Sequence, residues 1–317
     1  MSVDSASVMN KTPYFSVLIA CFFEEKSIME FYQRLSTTLK NLNKSYEIIF
    51  INDGSTDRTF ELLKEIFHKD QNVTKAINFF KNAGQGAAIT AGITHSRGKH
   101  FILMDSDLQL APEDLPKLVI EFDNGYDIVS GFRKNRKDSI NRTLPSKIAN
   151  FIMRKLSKSN LTDFGCTFKI YRGELIRAFN YGPLKLFNPV YVIAQAQKCK
   201  EIPVSHFPRK YGKSGWTFKK LMDFNMENLM GLISRAFQII GFWSIIIAVL
   251  LVIRVIIDWF YYFKIFQNVY NGLLLIVILF SMFVTLKMLC LIGEYVVRIF
   301  SLSQKNPKYI IKEIIKR

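Results

Sequence analysis

The chain has 317 residues, 49% of them hydrophobic, and a net charge of +17. That length suits one sizeable globular domain plus a smaller unit. Its four cysteines, Cys21, Cys166, Cys199 and Cys290, lie far apart and form no CxxC pair, and its four histidines form no cluster, which excludes a disulfide framework or a zinc-binding scaffold.

A basic excess of this size suits nucleic acid, an anionic membrane or phosphorylated substrates. The aromatic residues sit inside long apolar stretches instead of alternating with arginine, so no nucleic-acid partner is expected. The N-terminal tail 1–14 is polar and lacks an apolar h-region, so the first domain is expected on the cytoplasmic side.

In chain order, the apolar run 15–21 (FSVLIAC) predicts a buried strand. Ile28, Phe31, Leu35, Leu39 and Leu42 then recur at helical spacing over 27–42. A second strand over 46–51 closes on Asn52-Asp53-Gly54, and a helix over 56–68 opens on Thr56 and Asp57, good capping types. A third strand is predicted at 73–79. The Gly-rich turn Asn82–Gly86 then starts a helix running to about residue 96. Residues 100–104 (HFILM) form a strand ending at Asp105; 115–122 read as helix and 126–130 as strand. This alternation predicts a doubly wound, mostly parallel α/β sheet, whose ligands bind beyond the carboxyl ends of the strands. Glu24, Asp53, Asp105 and Asp107 all fall at those ends.

Two later segments, 236–257 and 272–297, are apolar enough and long enough to span a bilayer. Basic residues flank both on the outer sides of the pair, while the connecting loop holds only Lys264, which predicts an inner-membrane, multi-pass protein with both termini cytoplasmic. Residues 216–235 carry an apolar stripe beside Lys219 and Lys220; this fits either a helix lying in the membrane interface or one packed on the soluble domain. Residues 298–317 read as a basic cytoplasmic tail. Lys287 and Glu294 share one helical face of the second span and suit a contact with a second subunit, so a homo-oligomer is expected.

The sharpest chemical signal is Asp105-Ser106-Asp107-Leu108-Gln109. Two carboxylates and an amide at a strand end offer the oxygen ligands that Mg²⁺ or Mn²⁺ prefers, and such an ion can neutralise a departing diphosphate. Asp53 in Asn-Asp-Gly could accept hydrogen bonds from a nucleoside; equally, the motif could be only a capped turn. Arg133, Arg136 and Arg142, and later Arg209, Lys210 and Lys213, supply cations suited to phosphate. Arg133 and Arg209 are the expected substrate contacts.

Taken together, VLIACFFEE, EIIFINDGSTD, NAGQGAA, MDSDLQLAPED and RKYGKSGW resemble the motif order of family 2 glycosyltransferases, in the dolichol-phosphate mannose synthase-like branch. The two spans and IGEYVVRIFSLSQKNPKYII resemble the bacterial two-span polyprenyl-phosphate glycosyltransferases of the bactoprenol glucosyltransferase type. The resemblance covers residues 15–310 and implies a GT-A domain over 15–215. It implies inverting, metal-dependent sugar transfer from a nucleotide sugar, with UDP-glucose the expected donor, to polyprenyl phosphate such as undecaprenyl phosphate. By motif position Ala20, Phe22, Glu24 and Asp53 would line the nucleoside pocket. Asp105, Asp107 and Gln109 would bind metal and diphosphate, with Ser106 between the two acids. Arg209 and Lys210 would meet phosphate, and Asp163 would lie near the acceptor as a base or an orienting group. The chain departs from the pattern at Ala20–Glu25, where the family often has Pro-x-Tyr-Asn-Glu-Glu, and at Asn52, where it often has Asp. A processive polysaccharide synthase is a competing expectation, although its usual Gln-x-x-Arg-Trp motif is missing; a non-catalytic membrane scaffold is another.

Overall fold

The computed structural model describes residues 12–133, 159–211 and 306–317 continuously, with single positions within 154–157 and 250–299. The chain divides into two compact units, Met1–Leu232 with Pro307–Arg317, and Ile233–Asn306.

The first unit is built on one sheet. Its strands are β1 (Phe15–Cys21), β2 (Tyr46–Asn52), β3 (Val73–Phe79), β4 (His100–Asp105), β5 (Ile128–Arg133), β6 (Lys169–Tyr171), β7 (Cys199–Val204) and β8 (Ile311–Lys316). They lie in the order β7-β5-β6-β4-β1-β2-β3-β8. The pairs β1–β2, β1–β4, β2–β3 and β5–β7 are parallel; β6 runs antiparallel to both β4 and β5, and β8 antiparallel to β3. The near-continuous apolar runs of β1 to β4 follow from burial on both faces.

On one face α1 (Ile28–Lys40), α2 (Thr59–Lys69) and α4 (Leu115–Asp123) pack against Val17, Ile19, Ile48 and Phe50. On the other, α3 (Gln85–His95), α5 (Gly173–Arg177) and α6 (Pro189–Gln195) cover Leu18, Ile49, Ile51 and Ile77. Ile28, Phe31, Leu35 and Leu39 are all at most 1% exposed, so the helical spacing read from the sequence is the buried stripe of α1. Each such side chain contributes roughly 1.5–3 kcal/mol by leaving water.

The predicted order from β1 to β5 is the observed one. Helix α2 starts at Thr59, later than the predicted Thr56, because the Asp57 carboxylate accepts from Thr59 N at 3.1 Å and Thr59 Oγ1 at 2.6 Å. Within the predicted basic tail, residues 311–316 form β8, whose Lys75↔Lys316 to Phe79↔Ile311 register covers the outer edge of β3. Tyr309 stacks on Phe79 at 4.9 Å.

The predicted interfacial helix (216–235) and first span (236–257), and Arg136, Arg142 and Lys213, fall almost wholly outside the described residues; the second span (272–297) is described only at separate positions. Among the described residues no helix is long and apolar enough to cross a membrane.

Candidate active site

The carboxyl ends of β1, β2, β4 and β5 converge on one rim. Gly54 lets the β2 turn close: its φ is +71°, and a Cβ there would lie 2.4 Å from the Lys81 carbonyl carbon. Behind the turn, Asn52 donates to Asn78 Oδ1 at 2.8 Å and accepts from Ser55 Oγ at 2.6 Å, while Ser55 Oγ accepts from Phe23 N at 3.0 Å. Asn52 is fully buried. A side chain that both donates and accepts suits this ladder without burying a charge, which explains the departure from Asp at this position.

Asp53, 3% exposed, accepts from Ala83 N at 2.7 Å, Gly84 N at 2.9 Å and Asn82 Nδ2 at 2.9 Å. It clamps the loop that starts α3. Burial pushes its carboxyl up to about 6 against the pull of those hydrogen bonds. Phe22 and Phe23, the latter at φ +58°, form an exposed T-shaped pair at the end of β1. Ala20, next to last in β1 and paired with Asp105, accepts from Ser106 Oγ at 3.3 Å through its carbonyl oxygen, holding β1 and the acidic turn together.

Asp105 accepts from Gln85 Nε2 at 2.5 Å and from Thr167 Oγ1 at 2.6 Å. Burial, and then the Asp107 charge, push it up to about 6. Glu24, tied to Ser27 Oγ, is pushed up to about 7 by burial, with Asp107 and Asp105 adding to the effect. Leu108, at φ +61°, turns the chain between Asp107 and Gln109 in a conformation that costs a non-glycine residue about 1 kcal/mol or more. Asp107 Oδ1 accepts from Gln109 N at 3.1 Å, and Asp107 Oδ2 pairs with Arg209 Nη2 at 2.7 Å.

The segment after β7 brings Arg209 there. Leu110 bridges His206, and Phe207 N donates to Gln109 O at 2.8 Å, so residues 206–209 lie along the acidic turn. Lys210 turns the other way and pairs with Glu30 of α1 at 2.8 Å.

Across the site, Arg133 Nε and Nη2 each donate at 2.7 Å to the two oxygens of Asp163, a bidentate ion pair. Burial alone would raise the Asp163 carboxyl; the Arg133 hydrogen bonds and charge outweigh it and hold it below the usual carboxylate range. Such a carboxylate is a weak proton acceptor, and its geometry is that of a group orienting Arg133.

Asp105, Asp107, Gln109, Arg133, Thr167 and His206 line one cavity. Thr167 and His206 of this lining, and Gln85 hydrogen-bonded to Asp105, were not anticipated from the sequence. Gln85 lies within the flagged NAGQG turn, whereas Thr167 and His206 arrive only through tertiary contact. The hard oxygens of Asp105, Asp107 and Gln109 fit Mg²⁺ or Mn²⁺, and the Arg209 guanidinium already stands as a cation on Asp107. Among the described residues no three His, Cys, Asp or Glu side chains gather closely enough to hold an ion alone. Water and substrate phosphate oxygens would complete such a shell.

The family described as Glycosyl transferase family 2 matches residues 16–179. The undecaprenyl-phosphate 4-deoxy-4-formamido-L-arabinose transferase of Klebsiella pneumoniae (strain 342) is 31% identical over 313 residues, 95% of this chain and 94% of that one. The protein of the same description from Proteus mirabilis (strain HI4320) is 31% identical over 315 residues, 98% of this chain and 96% of that one. Among solved structures, glucosyl-3-phosphoglycerate synthase from Mycobacterium tuberculosis in complex with UDP superposes with a TM-score of 0.49 at 18% identity, over 70% of this chain and 80% of that one.

Proposed function

The chain belongs to glycosyl transferase family 2, and from that premise we propose that it transfers a sugar from a nucleotide sugar to undecaprenyl phosphate, giving a polyprenyl monophosphate sugar. The observation that carries this is the single cavity faced by Asp105, Asp107 and Gln109 from one side and Arg133 from the other. Two substrates must meet here, both anionic, and the site offers cations for each. The likeness to undecaprenyl-phosphate transferases over 95% of the chain supports the lipid acceptor.

In this mechanism an acceptor phosphate oxygen attacks the anomeric carbon, the bond from that carbon to the diphosphate oxygen breaks, and the nucleoside diphosphate departs with its electron pair, with inversion. A phosphate monoester has a second pKa of about 6 and is ionised at neutral pH, so no strong base is required. Arg133, oriented by Asp163, binds the acceptor phosphate. Asp107 and Gln109, with Asp105 braced behind them by Gln85 and Thr167, would hold Mg²⁺ or Mn²⁺, which neutralises charge on the diphosphate when bound. Arg209 exchanges Asp107 for phosphate as donor enters. Glu24, Phe22 and the loop clamped by Asp53 form the nucleoside side.

The relatives' activities favour 4-deoxy-4-formamido-L-arabinose as the sugar over the glucose expected from the sequence. For the membrane part, the apolar stretches 236–257 and 272–297 support two spans. β8 belongs to the same unit as residues 1–232, which supports an even number of crossings with both flanks on one side, and the basic residues outside the two stretches favour the cytoplasmic side. Purified full-length protein incubated with undecaprenyl phosphate and labelled UDP-glucose, or the UDP-linked formamido-arabinose, tests the proposal. Label entering the organic phase with one donor names the sugar. No label from either donor, nor from a wider panel of nucleotide sugars, would defeat the proposal.

A further inference from the structure

Most large apolar side chains of the sheet unit are buried, but a few stand in solvent together. Phe80, directly after β3, is 65% exposed; Ile310, directly before β8, is 57% exposed; Leu184, in the loop between α5 and α6, is 38% exposed. Backbone hydrogen bonds tie the three segments together: Phe80 N donates to Ile310 O at 3.1 Å, and Lys308 N donates to Pro183 O at 2.8 Å. Lys81, Lys185 and Lys308 flank the three apolar residues and are exposed as well. None of these six residues belongs to the catalytic cavity. By contrast Ile120, at 63% exposure, stands alone on α4.

An apolar centre within a ring of lysines is the composition of a surface that meets anionic lipid: the side chains enter the boundary between headgroups and acyl chains while ammonium groups remain with the headgroups. The chain's connectivity points to the same occupant. The most apolar part of the sequence, residues 236–297, lies between two segments of the sheet unit, and the chain that follows it returns to that unit at Lys308 and Ile310.

We propose that Phe80, Leu184 and Ile310, with Lys81, Lys185 and Lys308, form a lipid-contacting foot that seats the sheet unit on an anionic bilayer. The inference rests on the membrane reading above and adds to it the part of the sheet unit that touches lipid. The foot therefore sets the height of the carboxyl rim above the membrane, where a lipid-borne phosphate must reach Arg133.

Full-length protein with Cys199→Ser and Cys290→Ser, carrying Phe80→Cys or Ile310→Cys, is labelled with NBD and placed in nanodiscs of phosphatidylcholine and phosphatidylglycerol. Ile120→Cys serves as the control. Thermal melting confirms that each variant is folded, and the transfer assay is run in parallel. The expected result is loss of most NBD emission at positions 80 and 310 with spin-labelled lipid, no loss at 120, and weaker quenching at 80 when Lys81→Glu and Lys308→Glu are added. Emission at 80 and 310 quenched by aqueous iodide but not by lipid would overturn the proposal. Emission shielded from both quenchers would overturn it too, since the patch would then be covered by protein, from a second copy or from residues 212–305. Sugar transfer without lipid quenching would remove the foot and leave the catalytic proposal standing; quenching without transfer would do the reverse.

Discussion

At the residue scale the proposed mechanism puts the most direct chemical burden on Asp107, whose carboxylate pairs with Arg209 while that of Asp105 accepts from Gln85 and Thr167. Asp107→Ala is expected to lower transfer by about a thousandfold, the equivalent of the several kcal/mol that charge stabilisation at a departing diphosphate supplies. Circular dichroism should stay unchanged, and near-normal turnover would remove Asp107 from the mechanism. Asp163 is expected to act through Arg133. Asp163→Asn should therefore raise the KM for undecaprenyl phosphate about tenfold, on the scale of a weakened charge-assisted hydrogen bond, with a smaller change in kcat. A collapse of kcat at unchanged KM would restore the role of general base. The acids were legible in the sequence because a strand end followed by Asp-x-Asp-x-Gln is a local pattern. Gln85, Thr167 and His206 were not, because nothing in their own neighbourhoods distinguishes them until the turn, the loop before β6 and the segment after β7 are brought together. Lys210 shows the opposite failure: its sequence context suits phosphate, yet its partner is Glu30.

Elements differ in how far local pattern decides them. β1 to β4 are apolar runs flanked by helical periodicity, so alternation alone revealed them. β6 is three residues long and includes Lys169, fully buried and bonded to the carbonyls of Phe164 and Cys166, an unusual strand residue. β8 reads IKEIIK and looks like a charged tail until β3 pairs with it. Removing residues 307–317 would bare the β3 edge, lose the Tyr309–Phe79 stack and break the Lys64–Glu313 pair. The melting temperature should drop by several degrees, about 2–4 °C for each kcal/mol in a domain of this size, with self-association through the edge. An unchanged melt would mean that β8 contributes nothing to the sheet. At the opposite end of the sheet, His100 of β4 is 4% exposed, accepts from Gly173 N at 3.3 Å and is pushed down to about 4 by burial. The unfolded chain binds a proton near pH 6.5 that the folded state refuses, so stability is present above that pH and falls as pH drops from 6.5 towards 4. The slope should approach about 1.4 kcal/mol per pH unit for one proton. Denaturant titrations of wild type and His100→Phe across that window should differ in slope; parallel curves would contradict the assignment.

For the whole molecule, length, composition and the alternation of strands and helices along the chain sufficed to foresee a mostly parallel α/β sheet. The return of the C-terminus to that sheet was hidden, because pairing across most of the chain leaves no local trace. That return places both flanks of the apolar stretch, residues up to 232 and from 307 onward, in the sheet unit. The central claim is that the acceptor phosphate attacks carbon and a nucleoside diphosphate leaves. The most direct test is to identify both products of one reaction by mass spectrometry and nucleotide chromatography. The account predicts undecaprenyl lipid bearing one sugar on a single phosphate and release of an equal amount of nucleoside diphosphate. Nucleoside monophosphate with a lipid diphosphate sugar would place the broken bond at phosphorus and contradict it.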